Sequence, residues 1–214
     1  MSNTTPKSTQ YAFTSNYFDD ILIHNWRELL AIGNLLEVNK RRSLMWIWPT
    51  ESELLNIGAL FETFNIKHIL SIGCGNGLFE RIIQDCLGVA LNGIEVDRSW
   101  WESKYAIKSF ININYIDDCK KGENLEKYLQ KCCNLENWNF SLMFCYFNNR
   151  AAFLNYIEMY KGNILLIIGP KTGVNVFTEP LPLEPRLPEG HRWKLKATLN
   201  IGKLDVIAFY TKDV

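Results

Sequence analysis

The chain has 214 residues, 47% of them hydrophobic and 21% charged, enough to bury a full core in one domain without disulfide or metal support. Lysine plus arginine equals aspartate plus glutamate at 23 each, which argues against a broad polyanion-binding face. Six cysteines form no C-x-x-C pair and the three histidines stand at no metal-ligand spacing, which argues against a zinc site.

The opening residues, rich in Ser, Thr, Asn and Pro up to Gln10, predict a disordered tail over 1–16. They lack the apolar segment of a secretory signal, and no apolar run reaches the roughly 18 residues of a membrane span. A cytoplasmic location is expected, with the nucleus as the alternative.

A helical extension is predicted over 17–49. Phe18, Ile21, Leu22, Trp26, Leu29, Leu30 and Leu36 recur at helical spacing from Tyr17 to Val38. Asn39 and the basic run Lys40-Arg41-Arg42 then read as the helix exit, either a solvated end or a local basic patch. Trp46-Ile47-Trp48-Pro49 is extended, because proline disfavours a helical residue before it. Thr50 and Glu53 form a T-x-x-E capping box for a helix that ends near Asn65.

The main domain is assigned to 50–214. Strand, helix and strand alternate from Ile66: strands at 68–72, 89–96, 111–116, 140–147 and 164–168, helices at 78–86, 99–110, 124–133 and 151–160. Near-continuous apolar strands between helices imply a parallel sheet covered on both faces. Residues 169–190 are proline-rich and irregular, a long loop of the kind that serves as a lid. Runs at 193–199 and 204–211, joined by Asn200-Ile201-Gly202-Lys203, must form an antiparallel hairpin. The fold class is α/β: a Rossmann-like three-layer sandwich whose seven-stranded sheet is mostly parallel and ends in that hairpin.

The informative segment is Ile72-Gly73-Cys74-Gly75-Asn76-Gly77-Leu78, where a buried strand empties into alternating glycines and a helix begins. Glycine permits positive φ and lets a ligand pack on bare backbone, and the helix start offers free N–H groups. The pattern is G-x-G-x-G. A dinucleotide fingerprint needs a small residue where Leu78 stands, and a Walker loop needs Lys-Ser/Thr. Strand two ends Gly93-Ile94-Glu95-Val96-Asp97, about 20 residues on, the spacing of a ribose-binding acid.

These residues resemble the class I S-adenosylmethionine-dependent methyltransferase family. The resemblance runs from about Thr50 to the C-terminus and implies S-adenosylmethionine as cofactor. Gly73, Cys74, Gly75 and Gly77 match its first motif, Glu95 its ribose acid, with Asp97 as substitute, and Asp117 or Asp118 its adenine contact. Cys145 falls where the family borders the cofactor with backbone. The hairpin matches its antiparallel seventh strand. Ser71 departs from the family, which often carries there an acid for the methionine amino group.

The resemblance does not specify the acceptor. Cys145-Tyr146-Phe147-Asn148-Asn149 is not an Asn/Asp-Pro-Pro-Tyr motif. Asn148 reads as an acceptor-orienting residue or as the cap of the next helix. His191 is the candidate base or a plain surface histidine. Gly169 to Gly173 could line the pocket, and Tyr17, Trp46 and Trp48 could cap it or simply pack. The expected activity is methyl transfer, with a small molecule or protein favoured over nucleic acid as acceptor. The alternative is an inactive relative that serves as cofactor sensor or protein-interaction scaffold. An oxidoreductase is opposed by Leu78 and the hairpin.

Overall fold

The computed structural model describes residues 25–119, 124–135 and 137–212. In chain order the elements are α1 (Trp26–Leu35), α2 (Val38–Leu44), α3 (Glu51–Thr63), β1 (His68–Ile72), α4 (Leu78–Leu87), β2 (Ala90–Glu95), α5 (Arg98–Trp101) and β3 (Ile113–Tyr115). Then follow α6 (Leu125–Cys132), β4 (Ser141–Cys145), α7 (Arg150–Met159), β5 (Ile164–Pro170), β6 (Lys194–Ile201) and β7 (Asp205–Thr211). The sheet order is β3-β2-β1-β4-β5-β7-β6. β1 to β5 run parallel, and β7 lies antiparallel to both β5 and β6. This is the Rossmann-like sheet with the terminal hairpin expected from the sequence.

The side-chain period of two splits the strands between two cores. Ile69, Met143, Leu166, Ile168, Ile207 and Phe209 pack on the face covered by α1, α3 and α4. Leu70, Leu142, Phe144, Leu165, Ile167 and Tyr210 pack on the opposite face, against α6 and α7. Each fully buried large apolar side chain contributes about 1.5–3 kcal/mol, so both layers are strongly held to the sheet.

The capping box forms as its spacing requires. Glu53 N–H donates to Thr50 Oγ1 at 3.2 Å, and Thr50 N–H to Glu53 Oε2 at 2.7 Å. The extension differs from expectation. The single helix expected over 17–38 is broken; its first residues, Tyr17 included, and the tail over 1–16 lie outside the described residues. α1 stops at Leu35, where Leu36 N–H turns back to Gly33 O. The Trp48 indole lies against Gly33 so closely that a Cβ there would be 1.7 Å from the ring. The basic run is not an exit but the body of a second helix, α2. Leu29, Leu30, Met45 and Ile47 join the same core as Leu54 and Ile82, so the described part of the extension is packed into the main domain.

The helix expected over 99–110 is a single turn. Asp97 caps it by accepting from Trp100 N–H at 2.9 Å, and the chain then becomes irregular. Trp100 and Tyr105 are exposed, so the segment has no continuous apolar face to bury, and Phe110 N–H is used to hold Asn76 O at 2.8 Å. The proline-rich stretch is a pinned strap. Arg150 donates to Pro185 O at 2.5 Å, Tyr210 OH to Pro182 O at 2.8 Å, and Arg186 to Glu179 at 2.6 Å.

Candidate active site

The glycine loop leaves the C-terminal end of β1 and is tied on several sides. Gly73 N–H donates to Ile94 O at 2.8 Å, and Asn76 Nδ2 donates to Leu44 O at 3.1 Å, clipping the extension onto the loop. Gly73, Gly75 and Gly77 all adopt positive φ, at 70°, 61° and 74°. Their bare backbone is not all presented outward, however. A Cβ on Gly73 would sit 2.8 Å from the Phe147 ring, and one on Gly77 would sit 2.3 Å from Ile111. Those two spaces are filled by the protein's own side chains. Gly75 is the point of access, with Trp101 as its neighbour at an ordinary 3.6 Å.

A cavity of about 220 Å³ opens at this loop. Its lining brings together Gly73, Cys74 and Gly75 of the loop, Glu80 and Cys145 from the helix and sheet behind it, and residues 42–47 of the extension. Trp46 stacks on Tyr146 at 5.2 Å with planes 13° apart, and both border the cavity. Trp48 does not; it packs on Gly33.

Glu95 ends β2, is 9% exposed, and turns its carboxylate to the loop. Oε1 accepts from Gly75 N–H at 2.6 Å and Oε2 from Val96 N–H at 3.3 Å. A carboxylate has about four acceptor positions, so two remain for hydroxyl donors. Glu95 stands beside the loop rather than lining the cavity. The Cys74 side chain is directed under the loop, onto Gly93, where a Cβ would lie 2.3 Å from its Sγ. Its thiol and that of Cys145 are pushed well up by burial and by the Glu80 charge, so neither supplies a thiolate.

Several candidates lie elsewhere. Asp117 follows β3 and is exposed on the 3-10 turn Ile116–Asp118, outside the cavity lining. Asp118 is taken by Arg98 at 2.5 Å, and Arg98 also lies 4.2 Å from the centre of the Tyr115 ring. Asp97 serves as the α5 cap. The α7 cap is Asn149, which accepts from Ala152 N–H at 3.0 Å; Asn148 instead pairs by backbone with Glu179. His191 bonds Glu158 on α7 at 3.2 Å. Neither Asn148 nor His191 lines the cavity. Lys171 bonds carbonyls of the β6–β7 turn at 3.2 and 3.3 Å, so residues 169–173 likewise do not form its wall.

The sequence does not single out Glu80 or Asp205, and it shows Tyr146 and Arg42 only as parts of a strand end and of a basic run. Glu80 is 2% exposed and accepts from Ser71 Oγ at 2.7 Å; burial pushes its carboxyl up to about 7, with Ser71 opposing. Tyr146 carries φ 51° just past β4, a costly conformation for a side-chain-bearing residue, and its hydroxyl donates to Asp205. Burial raises Asp205, while that hydrogen bond and Arg42 pull it down. Arg42 is half-buried at the cavity wall.

No protein-family model and no curated protein matches the chain. Solved structures that it resembles include an O-methyltransferase from Bacillus cereus in complex with SAH, 16% identical over 92% of this chain and 96% of that one, with a TM-score of 0.47. A cyclopropane-fatty-acyl-phospholipid synthase-like protein from Lactobacillus casei is 10% identical over 74% and 90%, TM-score 0.45. A SAM dependent methyltransferase from Archaeoglobus fulgidus is 12% identical over 74% and 94%, TM-score 0.39. These likenesses are distant, and the fold assignment rests on the strand order and directions of the sheet itself.

Proposed function

We propose that this chain binds S-adenosylmethionine at the glycine loop and transfers its methyl group to an acceptor that enters beside Trp46 and Tyr146. The observation that carries the reading is the pairing of Gly75, the accessible glycine of the G-x-G-x-G loop, with Glu95 at the neighbouring strand end. Open α/β sheets take ligands at the carboxyl ends of their strands, which is where both residues stand. The residues present fit the cofactor: accessible backbone at Gly75, a carboxylate with acceptor capacity to spare for ribose hydroxyls, and a cavity of mixed polar and apolar lining at the loop.

Bound S-adenosylmethionine supplies a methyl group already activated by a sulfonium. The chain's own task is then to position and to exclude water. Glu95 holds the loop through Gly75 N–H and grips the sugar. Trp101 and Trp46 both line the cavity and shelter it. Tyr146, held by its N–H to Ile168 O at 2.8 Å and by its hydroxyl to Asp205, sets the acceptor side. The neutral net charge favours a small-molecule or protein acceptor.

Calorimetric titration of the folded protein with S-adenosylmethionine tests the binding, with NAD as the control. Measurable binding of the first alone is expected. Incubation with methyl-labelled cofactor and fractionated extract then tests transfer. A folded protein that gives no heat with S-adenosylmethionine would overturn the reading, and tight binding with persistent absence of labelled product would make it a cofactor sensor instead.

A further inference from the structure

The same cavity holds two opposite charges that are not matched to each other. Glu80 projects from the buried face of α4 and, among the described residues, forms no ion pair. Its partner is the neutral hydroxyl of Ser71, on the β1 face that looks toward α4. Arg42 reaches the cavity from α2 and likewise forms no ion pair with a described residue. A buried carboxylate without a cation is costly, so a ligand that brings one is favoured. A ligand that carries both a cation and an anion would suit both groups.

We propose that Glu80, with Ser71, receives the α-ammonium of the cofactor's amino-acid end and that Arg42 receives its α-carboxylate. The inference rests on the cofactor reading above and deepens it. It makes the extension part of the binding site, since Arg42 lies before the glycine-loop domain in sequence. It also accounts for Ser71: the acid absent from the strand is supplied by the adjoining helix, aimed at the same hydroxyl.

The charged and titratable groups around Glu80 fit this role. Burial and, to a lesser degree, Glu95 on β2 raise its carboxyl, and Cys74 in the loop and Cys145 on β4 are raised by it in turn; Arg42 is a cation in the same cavity lining. Near neutral pH the empty site therefore shares a proton between Glu80 and solvent, and an arriving ammonium displaces it.

The test uses the full chain and three probes: S-adenosylhomocysteine, its analogue without the α-amino group, and 5′-methylthioadenosine, which lacks the amino-acid end. Glu80→Gln keeps an acceptor for Ser71 and so preserves any purely structural link between α4 and β1. It is expected to weaken S-adenosylhomocysteine about tenfold or more while leaving the other two unchanged. Arg42→Gln should weaken both carboxylate-bearing probes by a similar factor and spare methylthioadenosine. At pH 7, wild-type binding of S-adenosylhomocysteine should release about half a proton, read from buffers of different ionisation heat, and Glu80→Gln none. The inference is overturned if both variants bind S-adenosylhomocysteine as wild type does, or if all three probes weaken in parallel. Failure of all three to bind folded wild-type protein overturns the cofactor reading itself, and this inference with it.

Discussion

Glu80 should make the free protein less stable as pH rises, and Glu80→Gln should abolish that trend. Its carboxyl titrates at 4.5 in the unfolded chain and at about 7 in the fold, chiefly because burial disfavours the charge. The folded state thus binds the proton more tightly. The resulting stabilisation is complete below pH 4.5 and is lost as pH rises through 7. At about 1.4 kcal/mol per pH unit, the interval between those values amounts to about 3 kcal/mol. Glutamine cannot titrate and can still accept from Ser71 Oγ, at the cost of about 1 kcal/mol for a weaker hydrogen bond. Urea unfolding of both proteins at intervals from pH 4.5 to 8 gives the difference in stability and cancels the other titrating groups. Wild type should be the more stable at the acid end, and Glu80→Gln the more stable by about 2 kcal/mol at pH 8. A difference that does not change with pH would refute the buried, unpaired carboxylate and the role built on it.

Gly73→Ala combines a left-handed backbone at φ 70° with a Cβ 2.8 Å from Phe147, so a loss of about 2–4 kcal/mol in denaturant unfolding is expected. Thr50→Ala removes the capping box of α3 and should cost about 1 kcal/mol without affecting cofactor binding. Tyr146→Phe leaves Asp205 without its hydroxyl donor; since that bond lowers the Asp205 carboxyl, its titration should move further up, observable by carbon NMR, with about 1–3 kcal/mol lost at neutral pH.

What the sequence made legible is what depends on local chemistry. The apolar runs at Ile69 and Leu70, Leu142 to Phe144 and Leu165 to Ile168 alternate between two buried faces, so they stood out as sheet strands. Thr50 with Glu53, and the glycine triplet with Glu95, declared themselves because a cap and a tight loop each tolerate few residue types. The helix expected over 99–110 does not extend past one turn, since Trp100 and Tyr105 are exposed and Trp101 lies against the glycine loop. Nothing local marks Gly33, whose bareness is required only by the Trp48 indole that packs on it from 15 residues away. Arg42 could not be placed without knowing that α2 folds back across the loop. Glu80 did leave a signal: it lies between Phe79 and Ile83 in an otherwise apolar helical stripe, where an acid must have a reason.

Growing crystals with S-adenosylhomocysteine tests the account most directly. The account predicts a bound nucleoside whose ribose hydroxyls meet Glu95, whose sulfur lies over Gly75, and whose amino-acid end enters the cavity walled by Glu80 and Arg42. Ordered density elsewhere on the molecule, or an unchanged loop with no ligand at saturating concentration, would contradict it.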